Sequence, residues 1–335
     1  MNKSVAFTIC ANNYLAHASV LGQSFKAFHP DVPFILAILD EPSPEIDYDK
    51  LPVDKIIWVH EEFPSIVNEL KDIYGIAELC TVVKPPLIEL LDKKGYESIL
   101  YIDPDIQVFS AFTEVFRAIE THQAVLTPHI CSPTGEKGHP VDKDLMRTGI
   151  YNLGFVALRM TDEVRAFVQW WNKRVQAYGY HDLKKGFFYD QIWWGYGPAF
   201  LDRVFVLRNL GYNAANWNLH ERKVIKKDDS FYINDDSTPL RFFHYSHYKM
   251  ENRPVIASYN QNFDLDNRPD IRPVFDGYDA YLDQMGYQSL RKIPFSFGKK
   301  PVSATEVVKQ EYSRLGNVKF HVKQSLRHLL LGQRK

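Results

Sequence analysis

The sequence has little of several features that define large protein classes. Its three cysteines are an odd number at wide spacing, so they predict neither a disulfide framework nor a zinc site. No run approaches the roughly 18 apolar residues of a membrane-spanning helix, and the N-terminal apolar stretch is too short for a signal peptide. The 40 basic residues nearly balance the 41 acidic ones, so no overall field attracts nucleic acid. We therefore expect a cytoplasmic protein with reduced thiols and no nucleic-acid partner.

The chain does have the size and composition of a globular protein with a full core. It has 335 residues, of which 45% are hydrophobic and 14% aromatic. This length suits one large domain or two modest ones and needs no disulfide staples. The excess of aromatic residues also suits a site that binds flat rings and sugar faces.

Short apolar runs alternate with helical patterns through the first half of the chain. The predicted strands are Val5–Ile9, Phe34–Leu39, Lys55–Val59, Ser98–Ile102 and Ala124–Thr127, and the predicted helices are Ala16–Phe28, Ser65–Tyr74 and Phe112–Thr121. Such alternation predicts an α/β fold with a mostly parallel sheet flanked by helices.

The second half is predicted to begin with a mobile polar loop at Cys131–Arg147. Further predicted elements are the strand Gly149–Arg159, the helices Asp162–Tyr178 and Asp190–Phe200, the strand Val204–Leu207, and a hairpin of Ser230–Asn234 with Leu240–Tyr245. From about Pro294 the chain becomes basic and loses sheet patterns. We therefore predict a main domain at 1–293 and a basic, partly helical extension at 294–335.

The strongest local signal lies at the end of the predicted strand Ser98–Ile102, where YIDPDIQVF places Asp103 and Asp105 around Pro104. Ligands of open α/β sheets bind beyond the carboxyl ends of the strands. Two carboxylates held together repel each other unless a cation lies between them, and a hard divalent ion meets that need. The alternative is an ordinary strand-end turn, in which Asp and Pro are common.

A second signal is the apolar run RFFHYSHYK, with His244 and, three residues later, His247. Imidazole is a common metal ligand, so His244 could complete a set of two carboxylates and one histidine that leaves positions open for a substrate. The alternative is a half-buried strand whose histidines form hydrogen bonds within the core.

A third signal is ICANNY, which follows the first strand and precedes a helix. The side-chain amides of Asn12 and Asn13 could read the edge of a base, and Tyr14 could stack on it. The alternative is a turn that caps the following helix, a position where Asn is expected.

In their order along the chain, these motifs resemble the metal-dependent retaining glycosyltransferases of family eight, which include glycogenin and bacterial lipooligosaccharide galactosyltransferases. The resemblance runs from Phe7 to about Lys249. It implies the Rossmann-like A-type glycosyltransferase fold and a Mn²⁺ or Mg²⁺ cofactor. It also implies transfer of a hexose from a nucleotide sugar, with a UDP-sugar favoured, to a glycan, lipid-linked or protein acceptor with retention of anomeric configuration.

The resemblance carries over to individual residues through the segments NNYLAHASVLGQSF, TVVKPPLIELL, YNLGFVALR, FYDQIWW, NWNLHER and FHYSHYK. It implies a metal site of Asp103, Asp105 and His244 and a pair beside the reacting sugar, Asp190 and Gln191. The implied substrate-binding residues are Asn13 and Tyr14 at the base, Lys84 on the donor, Asn152 and Gly154 in the sugar pocket, and Trp217, Asn218, His247 and Lys249.

The last motif departs from the family pattern in three ways. His247 stands where the family usually has Gly, the family's Lys-Pro-Trp is absent, and Lys249 lies one position before the usual phosphate-binding Lys. Near the N-terminus, Asn12 replaces an acidic residue often found at the base.

Two other functions share part of this pattern. A nucleotidyltransferase acting on sugar phosphates would have the same fold, metal and nucleotide but would attack phosphorus, and the family-like Asn-x-Gly and Asp-Gln motifs argue against it. A catalytically inactive sugar-nucleotide-binding protein would not need the complete set of Asp103, Asp105 and His244.

The segment Val318–Lys335 has five Lys and Arg residues and no acidic one. Val322, Leu326, Leu329 and Leu330 would share one face of a helix, so the pattern favours an amphipathic helix at a membrane surface. We therefore expect peripheral contact with the inner face of the membrane. The alternative is a terminal helix packed on its own domain.

Overall fold

The structure is a computed structural model that describes residues 3–297. The strands in chain order are β1 Ser4–Cys10, β2 Phe34–Ile38, β3 Lys55–Trp58, β4 Ser98–Ile102, β5 Ile106–Val108, β6 Ala124–Pro128, β7 Tyr151–Arg159, β8 His181–Asp182, β9 Phe187–Phe188, β10 Val204–Val206, β11 Ala214–Ala215, β12 Val224–Lys227, β13 Ser230–Ile233 and β14 Phe242–His244.

The α-helices are α1 Leu15–Phe28, α2 Val59–Glu62, α3 Pro64–Leu70, α4 Ile76–Val82, α5 Lys84–Lys93, α6 Thr113–Ile119, α7 Asp142–Thr148, α8 Asp162–Tyr178, α9 Gly197–Phe200, α10 Arg272–Gln284 and α11 Tyr287–Leu290. Short 3₁₀ helices lie at Asn12–Tyr14, Tyr48–Lys50, Gln191–Tyr196 and Met250–Asn252.

A seven-stranded sheet in the order β10-β6-β7-β4-β1-β2-β3 forms the centre of the fold. β1 pairs in parallel with β2 and β4, β2 with β3, and β6 with β10. β7 runs antiparallel between β4 and β6. The predicted α/β fold with a mostly parallel central sheet is therefore confirmed.

Helices cover both faces of this sheet, as the continuous burial of its strands requires. Along β1, Phe7 and Ile9 join a core cluster that includes residues of α5 and α8. Ala6 points to the opposite face and joins a second cluster with residues of α1 and α6. The alternation along one strand thus assigns neighbouring residues to two separate cores.

A small sheet in the order β11-β14-β5 lies next to the carboxyl end of β4. β14 pairs antiparallel with β5, so that His244 lies opposite Ile106, and in parallel with β11. Phe243 of β14 packs in a third core cluster with Val274 and Phe275 of α10. This arrangement brings the chain around position 244 back to the end of β4.

Two predicted elements are corrected by the structure. The segment 131–147 is not a continuous loop, because α7 begins directly after Val141, whose N–H donates to the Asp144 carboxylate at 3.1 Å.

The predicted hairpin is also wrong in its strand partners. β13 pairs with β12, whereas β14 pairs with β5 and β11. The predicted contact between these segments is reduced to one antiparallel bridge, Tyr232 with Pro239, beside which Leu240 N–H donates to Phe231 O at 2.8 Å. β-patterns alone do not select the partner of a strand.

The predicted boundary near residue 294 stays a prediction. Ser296 N–H donates to Asp40 Oδ1 at 2.9 Å, and Phe295 and Phe297 pack against the first core cluster. The predicted helical tail Val318–Lys335 lies outside the described residues. Within 3–297, no helix has both the length and the apolar character needed to cross a membrane.

Candidate active site

Three potential metal ligands converge at the carboxyl end of β4. Asp103 follows β4, and its N–H donates to Gly154 O of β7 at 2.7 Å, which extends the sheet by one residue. Asp105 precedes β5, and Tyr245 N–H donates to Asp105 O at 2.9 Å. The pairing of β5 with β14 therefore holds His244 beside both carboxylates, with its Nε2 3.6 Å from Asp103 Oδ2 and 3.1 Å from Asp105 Oδ1.

The electrostatics of this cluster favour a bound positive charge. Burial raises the pKa of Asp103, against the nearby charges of Lys84 and His244. Burial also acts to raise the pKa of Asp105, but the charge and hydrogen bond of His244 outweigh it and keep that pKa below its ordinary value. Burial acts to lower the pKa of His244, and the Asp105 and Asp103 carboxylates outweigh it and raise that pKa. The two carboxylates therefore stabilise a positive charge that lies between them.

The residues present fit a divalent metal ion. One ligand atom from each of Asp103, Asp105 and His244 lies within 4.8 Å of the others. Metal–ligand bonds to such atoms are about 2.0–2.6 Å long, so one ion can contact all three. A Cβ at Gly154 would come within 2.5 Å of His244 Cε1 and 2.8 Å of Asp103 Oδ2. The glycine therefore leaves the space in which the three ligands meet. Carboxylates bind Mg²⁺, Ca²⁺ and Mn²⁺ and imidazole binds transition metals, so the set as a whole fits a divalent cation.

Lys84 and Asp190 form a buried ion pair next to the metal ligands. Lys84 Nζ lies 2.5 Å from Asp190 Oδ2, and the two side chains are only 2% and 5% exposed. The same ammonium group donates to Leu153 O at 3.1 Å and lies 3.9 Å from the centre of the Tyr101 ring. Lys84 was predicted to contact the donor. In the structure its ammonium group is paired with the Asp190 carboxylate and holds that carboxylate in place.

Asn152 presents an unused hydrogen-bond acceptor at the site. Burial lowers the pKa of His129 to about 4, so its imidazole is neutral near pH 7. Its Nδ1 lies 3.4 Å from Ile150 O, a carbonyl oxygen that can only accept, so Nδ1 carries the hydrogen. Nε2 of the neutral ring therefore accepts from Asn152 Nδ2 at 3.3 Å. Asn152 Oδ1 is buried with no partner among residues 3–297. It is free to accept from a hydroxyl group of a bound substrate.

A cavity of about 550 Å³ brings most of the predicted residues together. This volume is within the range of sites for ligands of moderate size. The predicted site residues that line it are Lys84, Asp103, Asn152, Gly154, Asp190, Gln191, Trp217, His244 and His247. Asp105 reaches the same cluster through His244.

The outer wall of the cavity consists of α7 and the β8–β9 hairpin with the residue after it. Gln191 joins this wall to the sheet, because its Nε2 donates to Thr148 O at 2.9 Å and its Oε1 accepts from Leu153 N–H at 3.3 Å. Tyr189 lines the cavity directly before Asp190 and has a left-handed backbone with φ 49°. His247 also has a positive φ, 60°, a conformation that favours the glycine found in the family pattern.

Four predicted substrate-binding residues do not line this cavity: Asn13, Tyr14, Asn218 and Lys249. Asn218 is fully buried, and its amide donates to His129 O and Asn213 O and accepts from Ala215 N–H. It therefore holds the turn that presents Trp217. Tyr14 stacks on the His17 ring with the ring centres 4.1 Å apart. Substrate contacts for all four stay predictions.

Sequence reasoning missed Tyr101 and His129. Tyr101 Oη donates to Asp103 Oδ1 at 2.6 Å, and its ring lies beneath the Lys84 ammonium group. The signal was present, because residues two apart on a strand share a face and Tyr101 must point the same way as Asp103. His129 follows β6 without any local motif, so its contact with Asn152 becomes visible only when β6 and β7 pair.

Comparisons with known proteins give distant matches. No family model matches the chain. It is 25% identical over 250 residues to the uncharacterized protein YfnF of Bacillus subtilis (strain 168), covering 72% of this chain and 81% of that protein. It is 30% identical over 194 residues to the uncharacterized protein YfnD of the same organism, covering 57% of this chain. The chain spans 60% of YfnD, which is less than two thirds of that protein.

Similar solved structures include three glycosyltransferases. The galactosyltransferase LgtC, in complex with donor and acceptor sugar analogues, is 14% identical with a TM-score of 0.41, covering 87% of this chain and 97% of that chain. The bifunctional glycosyltransferase WbbM is 11% identical with a TM-score of 0.48, covering 87% and 51%. The glycosyltransferase GlyE of Streptococcus pneumoniae TIGR4 is 14% identical with a TM-score of 0.43, covering 88% and 66%.

Proposed function

We propose that the protein is a metal-dependent glycosyltransferase. It transfers a hexose from a nucleoside-diphosphate sugar, with a UDP-sugar favoured, to a glycan, lipid-linked or protein acceptor, and it retains the anomeric configuration. One observation carries the proposal: the Asp103, Asp105 and His244 cluster lies beside the buried Lys84–Asp190 pair in a single cavity.

The three-ligand cluster and the Asp190 carboxylate support two different tasks of glycosyl transfer. Asp103, Asp105 and His244 would hold Mn²⁺ or Mg²⁺, which supplies Lewis-acid stabilisation of the charge that develops on the diphosphate leaving group. On the side of the sugar, positive charge develops near the anomeric carbon as the bond to the diphosphate oxygen breaks. The Asp190 carboxylate, held by Lys84, would face that charge.

The neighbouring polar groups orient the donor sugar. Asn152 Oδ1 has no partner among the described residues and would accept from a sugar hydroxyl group. The Gln191 side chain donates to Thr148 O and accepts from Leu153 N–H, so in this structure it joins α7 to β7. We further propose that the base lies toward Asn13 and Tyr14, beyond the end of β1, and that Lys249 and His247 serve the diphosphate.

Donor hydrolysis without an acceptor tests the proposed function directly, because transferases release sugar slowly to water. The intact chain is incubated with a panel of nucleotide sugars and Mn²⁺, and the released nucleotide is identified. We expect a nucleoside diphosphate from at least one donor, abolished by EDTA and restored by Mn²⁺. A pyrophosphate product would instead indicate a nucleotidyltransferase. Turnover that is undiminished in excess EDTA would refute the metal-dependent mechanism.

We also propose that Val318–Lys335 brings the enzyme to the inner face of the membrane from the cytoplasm. Basic residues near an anionic bilayer contribute up to about 1 kcal/mol each, and an apolar face adds burial. Deletion of this segment should abolish co-sedimentation with anionic liposomes and leave donor hydrolysis nearly unchanged. Raised salt should weaken liposome binding of the intact chain. An intact chain that does not co-sediment with anionic liposomes at low salt would contradict the proposal.

A further inference from the structure

A second cavity of about 470 Å³ adjoins the candidate active site. Pro140 and Trp217 line both cavities and form the boundary between them. None of the residues proposed to bind the metal or the donor sugar lines the second cavity, apart from Trp217. A ligand that extends past Trp217 from the reaction centre would enter this space, which we name the side cavity.

The side cavity is built from three segments that are fastened to one another. Gln261 N–H donates to His139 O at 2.8 Å, and Asn262 Nδ2 donates to Pro140 O at 3.2 Å. Asn260 Nδ2 donates to Asn216 O at 2.7 Å, next to Trp217. The cavity is therefore a fixed part of the fold in this structure, with a wall from each of the segments 134–140, 216–220 and 260–263.

Several polar groups on these walls have no protein partner in the described part of the chain. The Gln261 side chain and the Lys137 ammonium group make no hydrogen bond or ion pair there. His220 uses Nε2 at 3.1 Å from Ser132 O and leaves Nδ1 unused. Trp217 Nε1 is buried and has no partner within residues 3–297. Among the described residues that line the side cavity, none is a carboxylate.

These groups match a hydroxyl-rich, ring-shaped ligand. An amide both donates and accepts, as vicinal hydroxyl groups do. The unused His220 Nδ1 and the Trp217 indole N–H add further hydrogen-bonding positions. The half-buried Phe263 ring offers apolar surface to the C–H face of a sugar ring, and the Trp217 side chain, 5% exposed, lines the same cavity. The Arg268 guanidinium lies 5.4 Å from the centre of the Phe263 ring and packs that ring in place.

We infer that the side cavity binds the second sugar unit of an oligosaccharide acceptor whose first unit reacts in the main cavity. The inference rests on the proposed function and narrows it, because it makes the acceptor a carbohydrate of at least two units. Trp217, which lines both cavities, would lie between the two subsites.

Sugar binding to the intact chain tests this inference, with UDP and Mn²⁺ present so that the donor side is filled. The probes are the methyl glycosides of glucose, galactose and N-acetylglucosamine, and the disaccharides cellobiose, lactose and chitobiose, titrated by calorimetry or ligand-observed NMR. We expect at least one disaccharide to bind about tenfold or more tightly than its own monosaccharide, because each new hydrogen bond adds to affinity. No gain for any disaccharide would overturn the inference.

Two substitutions test whether the tighter binding of a disaccharide depends on the side cavity. A Cβ at Gly135 meets no atom within 4 Å, so Gly135→Tyr should fit and fill the side cavity without backbone strain. We expect it to remove the disaccharide gain and to leave monosaccharide affinity unchanged. Gln261→Ala should reduce disaccharide affinity by roughly three- to tenfold. Gln23→Ala, on the exposed face of α1, is the matched control and should change nothing.

The outcomes separate this inference from the proposed function. Thermal melting checks that each variant is folded, and if Gly135→Tyr is not, Gln261→Ala carries the test. A disaccharide gain that survives the folded variants overturns the side-cavity assignment. Donor hydrolysis by the wild-type chain together with no disaccharide gain overturns this inference alone. The absence of hydrolysis of every donor overturns the proposed function itself.

Discussion

The ends of β1 and β4 are neighbours in the sheet, yet the structure uses them differently. Both strands run in parallel and end at the same edge, and each is followed by a polar motif. After β4, Asp103 and Asp105 meet His244. After β1, the Asn12 side chain donates to Glu41 O at 2.8 Å and accepts from Tyr48 Oη at 2.9 Å. The first motif forms a ligand cluster, whereas Asn12 fastens the end of β1 to the segment that follows β2.

The difference shows that a polar residue at a strand end has two possible uses. Where the neighbouring backbone has unpaired groups, a side-chain amide satisfies them and becomes part of the scaffold. Carboxylates placed side by side cannot satisfy each other, so they need a cation. We therefore expect substitutions at the end of β4 to reduce activity and a substitution of Asn12 to reduce stability. The following experiments measure the two effects separately.

The largest effect should follow from Asp105→Ala. Loss of one metal ligand removes much of the stabilisation of the leaving diphosphate, so we expect donor hydrolysis to fall at least about a thousandfold, or roughly 4 kcal/mol. The rate is measured with saturating donor and Mn²⁺. Asp31→Ala, at an exposed site, is the control and should keep the wild-type rate. An Asp105→Ala protein with near wild-type turnover would remove the reason for distinguishing the two strand ends.

Lys84→Met should have the next largest effect, which we expect on the stability of the fold. It leaves the Asp190 carboxylate buried without its charge partner, which costs about 3–5 kcal/mol in the free energy of unfolding. Lys50→Met breaks a pair with Asp47 whose side chains are 83% and 53% exposed, and should change the free energy of unfolding little. Urea denaturation of both variants gives the comparison. Equal losses would show that the buried pair has no special role.

Asn12→Ala tests the scaffold role of the β1 end. It removes two side-chain hydrogen bonds from a residue that is 1% exposed, so we expect a loss of about 1–3 kcal/mol in the free energy of unfolding. Urea denaturation measures it, and Asn68→Ala, at an exposed site on α3, is the control. A stability unchanged by Asn12→Ala would contradict the assignment of this residue to the scaffold.

Tyr14→Ala should have the smallest effect and tests the nucleotide end. If the ring stacks on the base, its removal weakens binding of the nucleoside diphosphate by about 1 kcal/mol. Calorimetry with UDP and Mn²⁺ measures the affinity. An unchanged affinity would assign Tyr14 to its contact with His17 and would leave the β1 end without a role in binding.

Much of the fold could be predicted because its strands are continuous apolar runs with helices between them. FILAI and SILYI are buried along their whole length, and both strands lie in the interior of the sheet. The prediction failed where tertiary pairing selects the partner. The run that became β14 had the composition of a hairpin strand, but its partners β5 and β11 are distant in sequence.

The candidate site divides in the same way. Asp103, Asp105 and His244 were predicted together, and the structure brings them within reach of one ion. The contact of Lys84 with Asp190 joins α5 to the segment after β9, and no local pattern indicates that these charges meet. Tyr101 could have been found from its spacing to Asp103, whereas His129 could not, since it has no motif around it.

By itself, the sequence determined which strands are buried, where the sheet edge carries carboxylates, and which residue types are available to hold a metal ion. These properties depend on local hydrophobic periodicity and on the chemistry of single side chains. Only the tertiary structure decided that Lys84 neutralises Asp190, that Asn12 serves the scaffold, and that a side cavity opens beyond Trp217. Each of these depends on chain segments that are far apart in sequence, and burial makes their pairing obligatory only after the fold has brought them together.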